Sequence, residues 1–205
     1  MKGAVTKLEP NGGEYTDTEF ANIILTKTEI KGIEFDNCSF LDCDFNESTF
    51  TDISFSDCAF TNCNLGVTKY KDSQMRDCKF VGCRLMGIDW RSLVSALGMV
   101  LDCKDCDLSY SAFDHINIQR STFENCKFSE AVFDTANLQK CAFAYCDFTR
   151  AIFTKCDLRE ADLSSAYSYY IDISNNSCRK AKFSYPEVLN LLTGQGIIIK
   201  EGTDT

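Results

Sequence analysis

The side chains best able to do chemistry in this 205-residue chain are thirteen cysteines, a single histidine and a large set of aspartates. Cysteine thiolates act as nucleophiles, hold soft metals and pair into disulfides. Their spacing points elsewhere. Cys38, Cys58 and Cys78 stand twenty residues apart, as do Cys43, Cys63 and Cys83, and Cys106, Cys126 and Cys146. With Cys141 and Cys156 they all recur in the same slot of a repeat, where a free thiol serves as a compact hydrophobe. The pairs read C-x4-C, without the C-x2-C spacing and histidine partners of a zinc site. His115 falls on an outward position with no nucleophile or acid motif around it. No glycine-rich phosphate loop is present. Neither catalysis nor a metal or cofactor is expected.

The repeat positions these residues. From Phe123 to Leu163 a bulky apolar side chain comes every fifth residue, and two positions before each stands a small one, as in Cys126–Phe128 and Ala161–Leu163. The same beat runs earlier through sixteen successive positions, Tyr15 to Trp90. A period of five fits neither a helix nor a flat strand and signals a solenoid. The recurrence at twenty implies four units per turn, so that residues twenty apart stack. Coils stacked at about 4.8 Å would make a rod roughly 40 Å long.

The formal net charge of −9 argues against direct nucleic-acid binding, which needs a basic stripe. No apolar run reaches membrane-span length, and residues 1–13 lack a signal-peptide core, so a cytoplasmic protein without a membrane partner is expected. Residues 1–14 read as a polar lead-in, 15–90 as the first run, 91–107 as an irregular coil or loop, 108–183 as the second run and 184–205 as a tail. The beat resumes at Leu108 in a shifted phase. Later Ser168 breaks a central position and Ile173 restores it, beside the Tyr167, Tyr169 and Tyr170 cluster. In the tail, Ser184 with Glu187 forms a capping box and Pro186 suits a first helical turn. Gly194 or Gly196 ends this helix, and Ile197, Ile198 and Ile199 make a short strand. The tail's apolar face, Val188, Leu189, Leu191 and Leu192, must cover the last coil or meet a second copy.

The unit small–Asp/Asn–Leu/Phe–x–x resembles that of the pentapeptide-repeat family. It is clearest in Cys156-Asp157-Leu158-Arg159-Glu160-Ala161-Asp162-Leu163-Ser164-Ser165, with Cys146-Asp147-Phe148 and Ala136-Asn137-Leu138 beside it. The resemblance covers residues 15 to 183. It implies an all-β fold, a right-handed quadrilateral β-helix, with a short C-terminal helix and strand. The mid-chain break and the tail are also similar to the branch that protects DNA gyrase and topoisomerase IV from quinolones or peptide toxins (the Qnr-like and microcin- or albicidin-immunity proteins). That resemblance implies a non-enzymatic homodimer joined tail to tail, here through Tyr185, Val188, Leu189, Leu191, Leu192, Ile197 and Ile199. It also implies an acidic surface that imitates duplex DNA. The outward acids that would supply it are Asp42, Asp44, Asp52, Asp57, Asp102, Asp105, Asp107, Asp114, Asp147, Asp157 and Asp162. Such mimicry would be marked by one continuous acidic face through the dimer axis. It also requires Lys69, Lys71, Arg76, Lys79 and Arg84 to stay off that face. An adaptor that binds an unrelated protein is the alternative.

Overall fold

A five-residue unit turns the chain through a corner each time, and four corners close one coil. The computed structural model describes residues 4–93, 98–193, 195 and 197, and shows a right-handed parallel β-solenoid with one short helix. The longest ladder joins seven strands, Glu19–Ala21, Ser39–Leu41, Ala59–Thr61, Cys78–Val81, Leu101–Lys104, Thr122–Glu124 and Ala142–Ala144. Every pairing is parallel, so backbone groups of one coil bond to the coils above and below. Among the described residues no helix is long and apolar enough to cross a membrane.

The inward positions are those the beat marks. Phe20, Phe40, Phe60 and Phe80 stack at centroid distances of 5.0, 4.7 and 5.0 Å on one face. Rings on adjacent faces meet edge-on, as Phe55 and Phe60 do at 5.4 Å. Offset and edge-to-face pairs of this kind add roughly 0.5–1.5 kcal/mol each beyond area burial. The small slots are more than fillers. The Cys63 thiol donates to the carbonyls of Phe40 and Thr61, each at 3.4 Å. Ser73 and Ser111 make the same kind of bond from the same slot. Each such contact satisfies a carbonyl that the corner leaves without a second partner.

The corners need a backbone of positive φ. Asp17, Asn37, Asp57 and Asp77 adopt φ of 49°, 49°, 53° and 50°, and Arg120, Lys140 and Glu160 adopt 67°, 59° and 61°. Asp and Asn tolerate this region better than other non-glycine residues. Elsewhere a turn bond holds the corner. Cys141 N–H donates to Leu138 O at 3.2 Å across Lys140, and Ala131 to Phe128 at 3.0 Å across Glu130.

The break differs from the expected 91–107 segment. Trp90–Ser92 forms a 3-10 turn capped by Asp89. The ladder is already rejoined at Leu101–Lys104, with Phe80 opposite Cys103 and Cys103 opposite Phe123. Cys103 therefore takes a central position five residues before Leu108. Buried Leu93 and Met99 bracket the insertion, and Trp90 carries the ring column across it by stacking on Phe113 at 5.8 Å. Residues 94–97 lie outside the described residues.

Both ends depart from the sequence reading. The lead-in is not merely polar: Leu8 is buried, and Val5 bridges Phe20, so this segment covers the first coil. Near the other end Ser168 and Ile173 are exposed while Tyr169 and Ile171 are buried, so Ile173 does not restore the beat. A one-residue slip lets the Tyr169 ring pack 5.7 Å from Phe183, filling space that a serine would leave open. Asn176 sits in the small slot and bonds to Phe153 O, Asp172 O and the Cys156 N–H.

The capping box does not form. Glu187 accepts from the Asn190 side chain at 2.9 Å instead of reaching back to Ser184, and the Val188 N–H is taken by the Ser184 carbonyl at 2.8 Å. Pro186 is the cap residue rather than the first helical one, ahead of a 3-10 turn at Glu187–Leu189 and a helix at Asn190–Thr193. Gly194, Gly196, Ile198 and Ile199 lie outside the described residues.

Candidate interaction surfaces

Twelve of the thirteen thiols are buried and none is in a disulfide. Burial pushes the Cys141 thiol up to about 12 and Cys156 up to about 11, and it holds Cys103 well above its usual range. A protonated, enclosed thiol is a poor nucleophile and a poor metal ligand. Among the described residues no group of three histidine, cysteine or acidic side chains is placed to hold a metal ion. What the molecule offers a partner is its outer surface.

The eleven expected acids all lie outward, but they do not share one face. Asp44, Asp107 and Asp147 fall in a single column that reads Ile24, Asp44, Asn64, Arg84, Asp107, Lys127, Asp147, Tyr167. Arg84 and Lys127 interrupt it. These three carboxylates also fold back on their own turns, accepting from Asn46, Ser109 and Thr149 N–H at 2.9, 3.0 and 2.9 Å. Asp42 and Asp105 occupy another corner and accept from Asn62 and Asn125 of the next coil. Asp102 accepts from Thr122, and Asp114 pairs with Arg91 at 3.1 Å. Arg159 beside Asp157 holds that carboxyl below its ordinary range. Asp162 falls to about 2 because Ser164 and Lys182 bond to it.

Only Asp52 and Asp57 belong to an unbroken acidic tract. It lies on the face whose centres are Tyr15, Phe35, Phe55 and Met75, here called the fourth face. Strand register stacks Glu14 on Glu34 and Thr16 on Asp36. Glu34, Asp52 and Asp72 surround a shallow groove of about 460 Å³ with Gly32 and Gln74. Asp17, Asp57 and Asp77 line the neighbouring corner. In this tract the only base is Arg76, 3.9 Å from Asp57 and 4.0 Å from Asp77. Lys69 and Lys71 sit opposite Thr49 and Thr51 on the third face (centres Ile30, Phe50, Tyr70 and Trp90), Lys79 on the first face (centres Phe20, Phe40, Phe60 and Phe80) and Arg84 on the second (centres Leu25, Phe45, Leu65 and Leu85). Four of the five expected bases thus stay off the tract. Glu14, Asp17, Asp72 and Asp77, not among the expected site residues, join it through the twenty-residue register.

Past the break the same face reverses sign. Arg76 and Asp77 line one side of a groove whose other side is Asn117, Gln119 and Arg120, so the face is continuous across the seam. Beyond it come Arg120, Lys140, Lys155, Arg159, Arg179 and Lys180, with Asp157 and Glu160 as the acids. Among the described residues the acidic face therefore stops at the break and does not continue toward the C-terminal end.

The tail residues divide. Leu191 is only 6% exposed and packs on the core, with Val188 partly buried against it, so these two cover the last coil of their own chain. Leu189 and Leu192 are half-buried, while Tyr185 is 80% exposed and Ile197 is exposed.

The chain matches the family model described as the pentapeptide repeat region over residues 14–90 and 102–184. No curated protein sequence matches it. Among solved structures it is similar to a trypsin-treated variant of QnrB1, a plasmid-mediated fluoroquinolone resistance protein. That match has 17% identity and a TM-score of 0.64, covering 89% of this chain and 100% of that one. Full-length QnrB1 matches with 17% identity, TM-score 0.55, and 87% and 100% coverage. HetL, a pentapeptide repeat protein involved in heterocyst differentiation regulation from the cyanobacterium Nostoc sp., matches with 12% identity, TM-score 0.45, and 86% and 87% coverage.

Proposed function

Because the chain belongs to the pentapeptide-repeat family, we propose that it is a non-enzymatic binding protein whose acidic half-face imitates duplex DNA for a type II topoisomerase. DNA gyrase or topoisomerase IV would be protected from quinolones or peptide toxins by occupation of its DNA-binding groove. The observation that carries this reading is the tract from Glu14 to Asp77. It presents two carboxylates per coil: Glu14 and Asp17, Glu34 and Asp36, Asp52 and Asp57, Asp72 and Asp77. At a coil spacing of about 4.8 Å that is roughly one charge per 2.4 Å, against about 1.7 Å for the duplex. Stacked coils hold these charges on a rigid backbone, which DNA-like spacing requires. The likeness to QnrB1, a plasmid-mediated fluoroquinolone resistance protein, supports the fold, and the charge tract supplies the chemistry.

Tail-to-tail pairing through Tyr185, Leu189, Leu192 and Ile197 belongs to the same proposal. Leu189→Asp with Leu192→Asp should convert a dimer to a monomer in light scattering while leaving Leu191 to cover the last coil. An adaptor role is the second reading, favoured by the basic residues from Arg120 to Lys180. The deciding experiment is gyrase supercoiling with and without ciprofloxacin, alongside direct binding of gyrase. Binding and rescue that are lost in Asp52→Lys/Asp72→Lys support mimicry. No binding and no rescue by the wild-type protein sinks it and leaves the adaptor reading.

A further inference from the structure

One corner of the rod reverses charge about its own midpoint at three of its four paired levels. This is the corner between the fourth face and the first. Its residues, coil by coil, are Asp17, Asn37, Asp57, Asp77, Val100, Arg120, Lys140, Glu160 and Lys180. Their stacking is fixed by backbone bonds that each run one coil on: Asp17 N–H to Asp36 O, Asn37 to Ser56, Asp57 to Arg76, Arg120 to Gln139, Lys140 to Arg159 and Glu160 to Arg179. Pairing of Leu101 with Cys78, and of Asp102 with Thr122, sets Val100 between Asp77 and Arg120. Val100 is the fifth of nine levels and is 40% exposed, an apolar side chain at the centre of a charged edge.

We propose that this edge is an interface for a second copy of the chain, laid antiparallel alongside the first about a two-fold axis at Val100. A two-fold contact is isologous, so residue i meets j and j meets i. With the axis in the contact plane and across the rod, each corner column faces itself with its order reversed. Val100 then meets the Val100 of the second copy. Asp77 meets Arg120, Asp57 meets Lys140, and Asp17 meets Lys180, each twice. Asn37 meets Glu160 as an amide donor to a carboxylate. No like-charged pair arises on this edge. On the fourth face beside it Asp36 meets Arg159 and Glu34 meets Asp157, and on the other side of the corner Glu19 meets Lys182 and Asp102 meets its own copy, so the flanks carry two unfavourable pairs against two favourable ones. Within a single chain these groups are exposed and already have partners to exchange: Asn37 donates to Asp17 at 2.6 Å, Arg76 stands 3.9 Å from Asp57 and 4.0 Å from Asp77, and Lys140 and Glu160 are 4.0 Å apart. Exposed pairs of this kind contribute little and are readily exchanged for contacts across an interface.

An edge contact is small, and interfaces under about 1,200 Å² are weak, so association should be read at protein concentrations on the order of 100 µM. The chain's net charge of −9 opposes pairing at very low salt. At about 0.1 M salt, repulsion beyond roughly 10 Å is screened while contacting pairs survive. The experiment is sedimentation velocity under those conditions, in a Leu189→Asp/Leu192→Asp background that removes any tail-to-tail pairing. The expected result is a concentration-dependent dimer. Asp57→Lys/Asp77→Lys should abolish it, and so should Arg120→Glu/Lys140→Glu. The fourfold variant carrying both pairs has the parent's net charge and should regain it. Lysine and glutamate already occupy this corner at Lys140, Lys180 and Glu160, so the backbone accepts them, and circular dichroism checks that each variant is folded. A chain that stays monomeric, or a dimer indifferent to the paired reversals, overturns the proposal. The sedimentation readout involves no topoisomerase, so failure of this interface and failure of the proposed function are distinguishable, while the shared Asp17, Asp57 and Asp77 mean that one copy cannot serve both surfaces at once.

Discussion

The two halves of the rod share one fold and differ in how they hold their corners. Before the break most corners are Asp or Asn: Asp17, Asn22, Asn37, Asp42, Asp52, Asp57, Asn62, Asp72 and Asp77. After it they are mostly other residues, among them Tyr110, His115, Arg120, Glu130, Lys140, Arg150, Lys155 and Glu160. Short polar side chains enter the left-handed region at low local cost. Other residues need help, and many get it from the backbone. Corners closed by a bond from residue i+3 back to i include Glu47, Val67, Tyr110, Arg120, Glu130, Lys140, Arg150 and Glu160, and none of these is Asp or Asn. The first half therefore acquires acidic edges partly as a consequence of how it turns. The second half is free to place long basic side chains at the same sites. The charge reversal on the fourth face grows out of this difference in turn chemistry.

The largest test of the comparison is at the seam. Trp90 is fully buried, stacks on Phe113 and meets Phe80 edge-on at 6.3 Å. Trp90→Ala should cost about 3–5 kcal/mol in urea unfolding. A solenoid is stabilised by nearest-neighbour contacts, so the two halves should also separate into two transitions. A single transition with a small loss would mean that the ladder alone couples them. Phe143→Ala, wholly within the second half, should cost about 3–5 kcal/mol and leave Trp90 fluorescence native-like in its early unfolding phase.

A smaller effect separates the two kinds of corner. Val67 is a β-branched residue at φ 56°. Val67→Gly should raise stability by roughly 0.5–1 kcal/mol, because the relief of a left-handed β-branched residue exceeds the entropy cost of glycine. Asp57→Gly should change it by less, since Asp already tolerates the corner. Equal gains at both sites would remove the distinction drawn here.

The smallest effect is acid sensitivity at Asp162, in the second half. Asp162 is held at about 2 by Ser164 and Lys182, below the ordinary carboxylate value of roughly 3.9. A depressed folded-state pKa adds stability that is complete above the unfolded value and lost as pH falls through the folded one. Melting temperature should therefore fall between about pH 4 and pH 2, and Asp162→Asn should flatten that slope. An unchanged slope would show that the Lys182 contact contributes nothing measurable in solution.

Much of this architecture is legible without coordinates because the inward residues are constrained twice. They must be apolar or small, and they must recur every five positions, so Phe20 to Trp90 declare themselves. The departures fall where one constraint lapses. Tyr169 displaces Ser168 because ring packing against Phe183 outweighs the beat. The capping box at Ser184 fails because Glu187 finds Asn190 first. Val5 and Leu8 were hidden in a segment with no period. Cys103 was missed because a cysteine in a central slot carries no bulk to mark it.

The sequence by itself determined the period, most of the inward set, the core placement of the eleven slot thiols and the outward positions of the expected acids. Only the tertiary structure decided which of those acids meet. Outward side chains are not held to the apolar beat, and the twenty-residue recurrence aligns them only within each run, so the chain does not show which edge the two runs share across the break. That edge depends on the coil count, on where the ladder is rejoined at Leu101, and on the three-residue offset that sets Phe80 opposite Cys103. The offset places Arg120 and Lys140 beyond Asp57 and Asp77 on one corner, with Val100 between them.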